Sequence, residues 1–237
     1  LSMDKKVNFC LSYHDAIERI HQTGMAIVGN DAWTTHTVDG STVLARYALD
    51  EAVERESVSD LVSEDLLPSG APWRLKASEV VELPADCAGS YMSHDAAESR
   101  LWVGDFSTSS GADLCIFPIR DDGSLGSMES HWVLPIEKVQ GVLALGDGRA
   151  LLSQSYSTAD SALYLWTPGD SSVTQVLSGP SGFEDLTLSA EGLIWTSSES
   201  GGRYYQKRFT ENPLCGTNWG DLYPYAFALD PESFIPD

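Results

Sequence analysis

A strand–turn–strand unit that recurs four times constrains the fold of this 237-residue chain more than any other feature. Each copy joins a short apolar run to a second one, built around Trp or Leu, through a turn that contains Gly, Asn, Asp or Ser. The copies occupy residues 24–37, 89–106, 141–156 and 185–199. Apolar runs joined by such turns are typical of β-hairpins, so the sequence predicts four hairpins.

Further apolar runs extend each hairpin to a larger sheet. A third run follows at residues 42–49, 113–119, 162–167 and 223–229, and a fourth closes three units at residues 79–83, 131–134 and 173–177. Four strands in a repeat of about 45 residues are typical of β-propeller blades. We therefore predict an all-β fold in which residues 1–237 form one β-propeller domain of four four-stranded blades, with five blades as the alternative. A strand from residues 6–20 is expected to complete the last blade.

Two insertions interrupt the repeat. Residues 50–72 separate the third and fourth strands of the first unit, and their Ala, Val, Glu and Leu content predicts a short amphipathic helix. Residues 200–222 separate the second and third strands of the last unit and combine basic with aromatic side chains. Because this second insertion leaves from one rim of the propeller, we expect it to lie over the axial opening as a lid.

Charge restricts the partners. The chain has 14 Lys and Arg against 35 Asp and Glu, a formal net charge of −21, which repels nucleic acid and anionic lipid surfaces. We expect neither nucleic acid nor a membrane as a partner. A small-molecule or carbohydrate ligand is expected instead, and the oligomeric state stays open.

The four cysteines, at positions 10, 87, 115 and 215, form no CxxC pair. An even number without zinc or redox spacing favours two disulfides in a secreted or periplasmic protein. The pairing we prefer joins Cys10 to Cys215 and Cys87 to Cys115. A bond between Cys87 and Cys215 is the competing possibility.

Two stretches carry a family resemblance. GMAIVGNDAW at residues 24–33 and GLIWT at residues 192–196 resemble blades of the SMP-30/gluconolactonase and strictosidine-synthase-like propellers. The resemblance covers most of residues 24–229 and implies the propeller fold. Its metal-dependent lactonase branch holds a divalent cation on the axis, and Glu184 is similar to that branch's Glu ligand. The accompanying Pro-Asn-Gly and Ser-Asp-Ser motifs are absent, so we predict no metal site, with Glu184 and Asp105 as ligands if a cation such as calcium binds.

The propeller geometry brings polar residues of different units to one rim. Each innermost strand starts at this rim and the second strand returns to it, so strand starts and strand ends meet there. Carboxylates gathered in this way repel one another, which raises one pKa and creates an acid/base pair. The predicted catalytic residues are Glu184, Asp185, Asp105, Glu199 and His36.

Amides, aromatic rings and one cation near the same rim form the predicted ligand-binding set. Its members are Gln140, Gln154, Tyr156, Arg203, Tyr204, Tyr205 and Trp219. Trp33, Trp102, Trp166 and Trp195 recur at blade positions and are expected in the core.

No nucleophile-elbow, nucleotide-binding or zinc-protease motif is present in the sequence. The leading functional hypothesis is a hydrolase or lyase that uses carboxylate acid/base chemistry on a small molecule. A carbohydrate- or peptide-binding module without catalysis is the alternative. A scaffold that meets a basic partner is a third hypothesis.

Overall fold

Four antiparallel sheets follow the four predicted units and form the blades of a β-propeller. The computed structural model describes residues 9–12, 22–38, 41–49, 53–54, 73–109, 111–157, 159–198 and 226–236. The regular structure in these ranges is strand, with a short 3-10 helix at Pro231–Ser233. None of the described residues belongs to a helix that is long and apolar enough to cross a membrane.

Eighteen strands are described. In chain order they are β1 (Phe9–Ser12), β2 (Gln22–Val28), β3 (Asp31–Val38), β4 (Ser41–Ala48), β5 (Val53–Glu54), β6 (Trp73–Lys76), β7 (Glu79–Glu82), β8 (Tyr91–Asp95), β9 (Arg100–Gly104), β10 (Asp113–Pro118), β11 (Ser130–Val133), β12 (Val139–Ala144), β13 (Ala150–Gln154), β14 (Ser161–Trp166), β15 (Thr174–Gly179), β16 (Phe183–Leu188), β17 (Ile194–Ser198) and β18 (Phe227–Leu229). The blades have the strand orders β2-β3-β4-β7, β8-β9-β10-β11, β12-β13-β14-β15 and β16-β17-β18. The prediction of four blades is confirmed, and three described strands form the fourth blade.

The N-terminal strand pairs elsewhere than predicted. β1 runs parallel to β6, with Phe9 opposite Trp73, and β6 pairs with β5 in a separate three-stranded sheet. The prediction that this segment completes the last blade is therefore wrong for β1. An apolar run shows that a strand forms, but the sequence pattern does not show which free strand edge it pairs with.

The insertions have different outcomes. Residues 53–54 form β5, so the helix expected for residues 50–72 is wrong at these two positions. Residues 55–72 and the whole insertion at 200–222 lie outside the described residues.

Successive side chains of the middle strands pack in opposite directions, which builds the core between blades. In β13, Leu152 packs in the cluster shared with the second blade, whereas Leu151 packs in the cluster shared with the fourth blade. Both leucines are fully buried. Because residues along a strand alternate between the two faces of a sheet, a strand enclosed on both faces requires consecutive apolar residues.

Glycines allow the inner strands to approach one another closely. A Cβ atom on Gly24 in β2 would lie 2.9 Å from the Cα atom of Tyr91 in β8. A Cβ atom on Gly141 in β12 would lie 2.7 Å from the Cα atom of Asp185 in β16. Inner strands therefore pack side by side in the order β2, β8, β12 and β16.

A disulfide joins Cys87, in the segment before β8, to Cys115 in β10, with 6.0 Å between their Cα atoms. This confirms one of the two preferred pairs, and it contradicts the competing bond between Cys87 and Cys215. Cys215 lies outside the described residues.

Candidate functional site

A cavity of about 980 Å³ lies among the inner strands and touches all four blades. It is lined by residues 24–27, 92–97, 143–146, 185–188 and 195–197 and by Ala226. The first and last inner strands, β2 and β16, both contribute wall residues but do not pack side by side as the other neighbouring inner strands do. The cavity is bordered by both of these strands and by β8 and β12.

Asp185 brings a carboxyl group to this cavity and connects three inner strands. Its Oδ1 accepts the backbone N–H of Leu186 at 2.9 Å. The carboxyl also accepts backbone N–H groups of Met92 in β8 and Val142 in β12. The pairing of β16 with β17 shifts register between Phe183 and Leu186. Since such an irregularity re-aims the side chains of a strand, it accounts for the axial direction of Asp185.

The surroundings of Asp185 change its ionisation. Burial raises the pKa of this carboxyl to about 8, although its three hydrogen bonds with backbone N–H groups act in the opposite direction. Desolvation outweighs these bonds because burial removes water that would stabilise the charged carboxylate. Asp185 is therefore mainly protonated at pH 7, and its carboxyl can donate a hydrogen bond to a ligand in the cavity.

His94 provides a second titratable group on the cavity wall. Its ring hydrogen-bonds to the backbone of Ile27, which links β8 to β2. Partial burial lowers the pKa of His94, while Asp95 and the Ile27 bond oppose that change. The imidazole is therefore mainly neutral at pH 7, and a neutral imidazole has one nitrogen that accepts a proton.

Asp95 also lines the cavity but has a local structural role. One of its oxygen atoms accepts the backbone N–H groups of Ala97 at 3.1 Å and Glu98 at 3.3 Å. These bonds are those of an Asx turn, which fixes the connection between β8 and β9. Asp95 is thus occupied by the turn, whereas Asp185 and His94 remain the candidates for chemistry.

The cavity walls are otherwise largely apolar. Met25 and Ile27 in β2 are 52% and 48% exposed, and Leu188 in β16 and Trp195 in β17 are 51% and 37% exposed. All four line the cavity. Trp195 thus differs from Trp33, Trp102 and Trp166, which are buried as predicted. This combination of apolar walls with a few polar groups is typical of small-molecule sites.

Asp105, a predicted catalytic residue, is not among the residues that line the cavity. It follows β9, and its Oδ1 accepts the Ser90 hydroxyl at 3.3 Å. Burial raises the pKa of Asp105, and the charge of Asp113 adds to this effect. Glu184 precedes Asp185 in β16, is partly buried and also lies outside the lining. The structure thus brings Asp185 to the cavity without these two predicted partners.

His36 belongs to a buried hydrogen-bonded cluster of the first blade. Its Nε2 atom lies 2.6 Å from the Thr34 hydroxyl and 3.2 Å from the Tyr47 hydroxyl. Burial lowers the pKa of His36. None of these three residues lines the cavity.

The predicted amide and aromatic ligands of the third blade have protein partners. Gln154 donates from Nε2 to the carbonyl of Glu137 at 2.8 Å, and its Oε1 accepts the Tyr164 hydroxyl at 3.3 Å. Tyr156 is exposed and stacks on Phe106, with ring centroids 6.1 Å apart. The partly buried Gln140 does not line the cavity either. Glu199, Arg203, Tyr204, Tyr205 and Trp219 lie outside the described residues.

Within the part of the chain that the structure describes, no group of three His, Cys, Asp or Glu side chains is placed to hold a metal ion. Glu184 and Asp105, the two ligands named from the sequence, belong to no such group among the described residues. We derive no step through a metal.

Sequence reasoning missed His94. Strand pairing places His94 at the position that Ile27, Ala144 and Leu188 occupy in the other units. His94 lies five residues after Gly89, whereas the other three lie three residues after the start of their units, so the sequence alone does not show this correspondence. Trp195 could not be recognised from the sequence either, because a core tryptophan and a cavity tryptophan give the same pattern.

Comparison with known proteins gives structural neighbours at low sequence identity. A candidate 6-phosphogluconolactonase from Bacteroides uniformis has a TM-score of 0.45 and 13% identity, over 93% of this chain and 62% of that one. A second candidate 6-phosphogluconolactonase, from Bacteroides fragilis, has a TM-score of 0.42 and 10% identity, over 91% of this chain and 55% of that one. The periplasmic gluconolactonase of Pseudomonas aeruginosa has a TM-score of 0.40 and 13% identity, over 89% and 72%. These neighbours are 6-phosphogluconolactonase-like and gluconolactonase-like propellers.

The chain thus spans less than two thirds of the length of the two Bacteroides proteins. No protein-family model matches the chain, and a search of curated proteins finds no significant match. The fold assignment rests on the four sheets themselves.

Proposed function

We propose that this propeller is a small-molecule hydrolase that cleaves a lactone or another carboxylic ester in its axial cavity. The observation that carries the proposal is the position of Asp185, whose carboxyl is fixed by three inner strands in a largely apolar cavity that His94 also lines. Fixed polar groups in a site with little water stabilise charge that develops during acyl transfer.

The two groups have complementary roles in this reaction. The neutral imidazole of His94 takes a proton from water as the water oxygen forms a bond to the acyl carbon. Asp185 donates its proton to the leaving oxygen as the acyl C–O bond breaks. Transfer of the proton from His94 to Asp185 through solvent restores both groups, so the net reaction adds one water molecule to the ester.

The protonation states predict a bell-shaped dependence of kcat/KM on pH. Activity requires neutral His94, whose lowered pKa places the acidic limb below the usual value of about 6.5. It also requires protonated Asp185, whose raised pKa places the basic limb at about 8. Activity is therefore expected to fall on both sides of this window.

Amide variants test the assignment directly. Asp185→Asn is expected to lower kcat/KM for ester or lactone hydrolysis by about 10²- to 10⁴-fold, because the amide donates no proton. His94→Gln is expected to give a loss in the same range and to remove the acidic limb. Asp113→Asn is the matched control, since Asp113 pairs with His131 at 2.7 Å outside the cavity lining.

Two results would redirect the proposal. Full activity in Asp185→Asn would remove the cavity from the mechanism, and a loss in Asp105→Asn instead would move the site to the predicted acidic rim with Glu184. Ligand binding without turnover in the unmodified chain would favour the carbohydrate- or peptide-binding alternative.

Export belongs to the same proposal. Disulfides persist in oxidising compartments, and the Cys87–Cys115 bond supports a secreted or periplasmic location. The test is to count free thiols in protein isolated from the cytoplasm and in protein that has been exported. More free thiols in the cytoplasmic protein would show that the bond depends on the compartment.

A further inference from the structure

We infer that the cavity selects an uncharged ligand with an apolar body, such as an alkyl-substituted lactone, and rejects ligands that carry phosphate or carboxylate groups. The inference rests on the proposed function for the reacting group, but it concerns binding and is tested separately from turnover.

The apolar strip on the cavity wall is the first observation. Met25 and Ile27 are two positions apart in β2, so their side chains leave the same face of the strand. Leu188 and Trp195 also expose large apolar side chains in the same cavity. An alkyl chain that covers this surface removes both its own methylenes and these side chains from water. Affinity is therefore expected to rise by up to about fourfold per added methylene.

The distribution of charge is the second observation. No Lys or Arg is among the described residues that line the cavity, and Asp185, which does line it, is mainly protonated at pH 7. Four cations elsewhere in the described chain pair with carboxylates outside the lining, and a fifth, Arg120, hydrogen-bonds to Ser124 and Leu125. The pairs are Arg46 with Asp31 at 2.6 Å, Arg100 with Glu129 at 3.0 Å, Lys138 with Glu137 at 2.6 Å and Arg149 with Asp147 at 2.7 Å.

A bound anion would therefore lose its water without gaining a cationic partner from these walls. Burial of an unpaired charge is costly, and the net charge of −21 adds repulsion over the whole chain. An uncharged ligand loses no charge hydration and is not repelled by the net negative charge. Its carbonyl accepts the hydrogen bond that the protonated Asp185 carboxyl offers.

The same property helps the product to leave. Hydrolysis of a lactone adds water across the acyl C–O bond and gives a hydroxy acid, which releases a proton and becomes a carboxylate at pH 7. The substrate is uncharged and the product is an anion. Walls that favour an uncharged ligand over an anion therefore bind the substrate and release the product.

Calorimetry with the Asp185→Asn variant of the 237-residue chain tests this selectivity without turnover. The probes are γ-decalactone, the shorter γ-hexalactone and 4-hydroxydecanoate, the ring-opened form of the first. We expect γ-decalactone to bind at least about tenfold more tightly than 4-hydroxydecanoate at low salt, with a smaller ratio at high salt because ions screen the repulsion. Tighter binding of γ-decalactone than of γ-hexalactone is also expected. Equal or tighter binding of the carboxylate, or no binding of any probe, would overturn the inference.

A charge added to the wall provides the matched test. Ile27→Lys places a cation in the cavity and is expected to raise affinity for 4-hydroxydecanoate while lowering affinity for γ-decalactone. Val80→Lys adds the same charge to the same blade at an exposed apolar position outside the lining, and is expected to change neither. Similar effects of the two variants would show that net charge, and not the cavity, sets the selectivity.

These results separate the inference from the proposed function. Selective binding of the lactone by an unmodified chain that hydrolyses nothing would support the inference and overturn the proposed hydrolase. Turnover by an enzyme that binds lactone and carboxylate equally would do the reverse.

Discussion

The junction between the third and fourth blades and the gap between the fourth and first blades involve the same strand, β16, with opposite results. Toward β12, Gly141 allows the backbones of the two strands to come close, and a cluster that includes Leu151, Phe183 and Ile194 fills the space between the blades. Toward β2, Met25 and Ile27 stay exposed in the cavity. Among the residues that the structure describes, close backbone contact and a filled core occur together on one side, and neither occurs on the other.

This difference shows how a repeat produces a site. Packed junctions such as that between β12 and β16 hold the inner strands together. The open junction between β16 and β2 borders the cavity in which a ligand fits. Asp185 is at the boundary, because hydrogen bonds with Met92 and Val142 tie it to the packed strands while it lines the cavity. A carboxyl fixed in this way keeps its orientation with or without a ligand, which is the condition for preorganised chemistry.

The largest expected effect concerns the stability cost of Asp185. Its pKa is about 8 in the folded chain and about 3.9 in the unfolded chain. Below pH 4 both states bind the proton. As the pH rises from 4 to 8 only the unfolded state loses it, so the folded state loses up to about 1.4 kcal/mol of stability per pH unit, and above pH 8 the loss stops.

Asp185→Asn removes this titration. Denaturation by urea at a series of pH values is therefore expected to show a stability gain of the variant over the native chain that grows from pH 4 to pH 8 and reaches a few kcal/mol. A gain of this kind together with lost activity is typical of a functional residue that is kept at the expense of stability. A stability difference that is independent of pH would mean that Asp185 ionises normally, and the boundary position would lose its significance.

A second comparison truncates one side chain to alanine at a packed junction and one at the open junction, and measures the loss of stability. Leu152→Ala removes a fully buried side chain from the cluster between the second and third blades and is expected to cost about 2–5 kcal/mol. Ile27→Ala removes a half-exposed side chain at the cavity and is expected to change stability by about 0.5 kcal/mol or less. A large loss for Ile27→Ala would show that the cavity is filled in solution.

The sequence was sufficient for the blades because short apolar runs and turn residues determine hairpins locally. Its period identified four units, and consecutive leucines such as Leu151 and Leu152 reflect burial on both faces of a strand. The pairing of β1 with β6 was not predictable, since several free strand edges offer similar backbone groups to an apolar strand.

The candidate site was predictable only in part. Asp185 was identified because acidic residues at a strand start are conspicuous. The direction of its side chain depends on a register shift in β16, which the amino-acid sequence does not show. His94 and Trp195 lie in a cavity that strands of all four blades line together, and this property belongs to the assembled blades. Rim geometry alone placed Asp105 and His36 near Asp185, whereas the cavity lining excludes both.

The smallest of the three effects tests the packed junction at its closest point. A methyl group on Gly141 would meet backbone atoms, the Cα of Asp185 at 2.7 Å and the carbonyl oxygen of Glu184 at 2.9 Å. Backbone atoms cannot rotate away as a side chain does, so Gly141→Ala is expected to separate β12 from β16 and to cost about 1–3 kcal/mol in urea denaturation. Thr187→Ala, at an exposed position of β16, is the control and is expected to stay within about 0.5 kcal/mol. If Gly141→Ala is equally harmless, the two strands tolerate separation, and the contrast between a rigid junction and an open one does not hold at the inner strands.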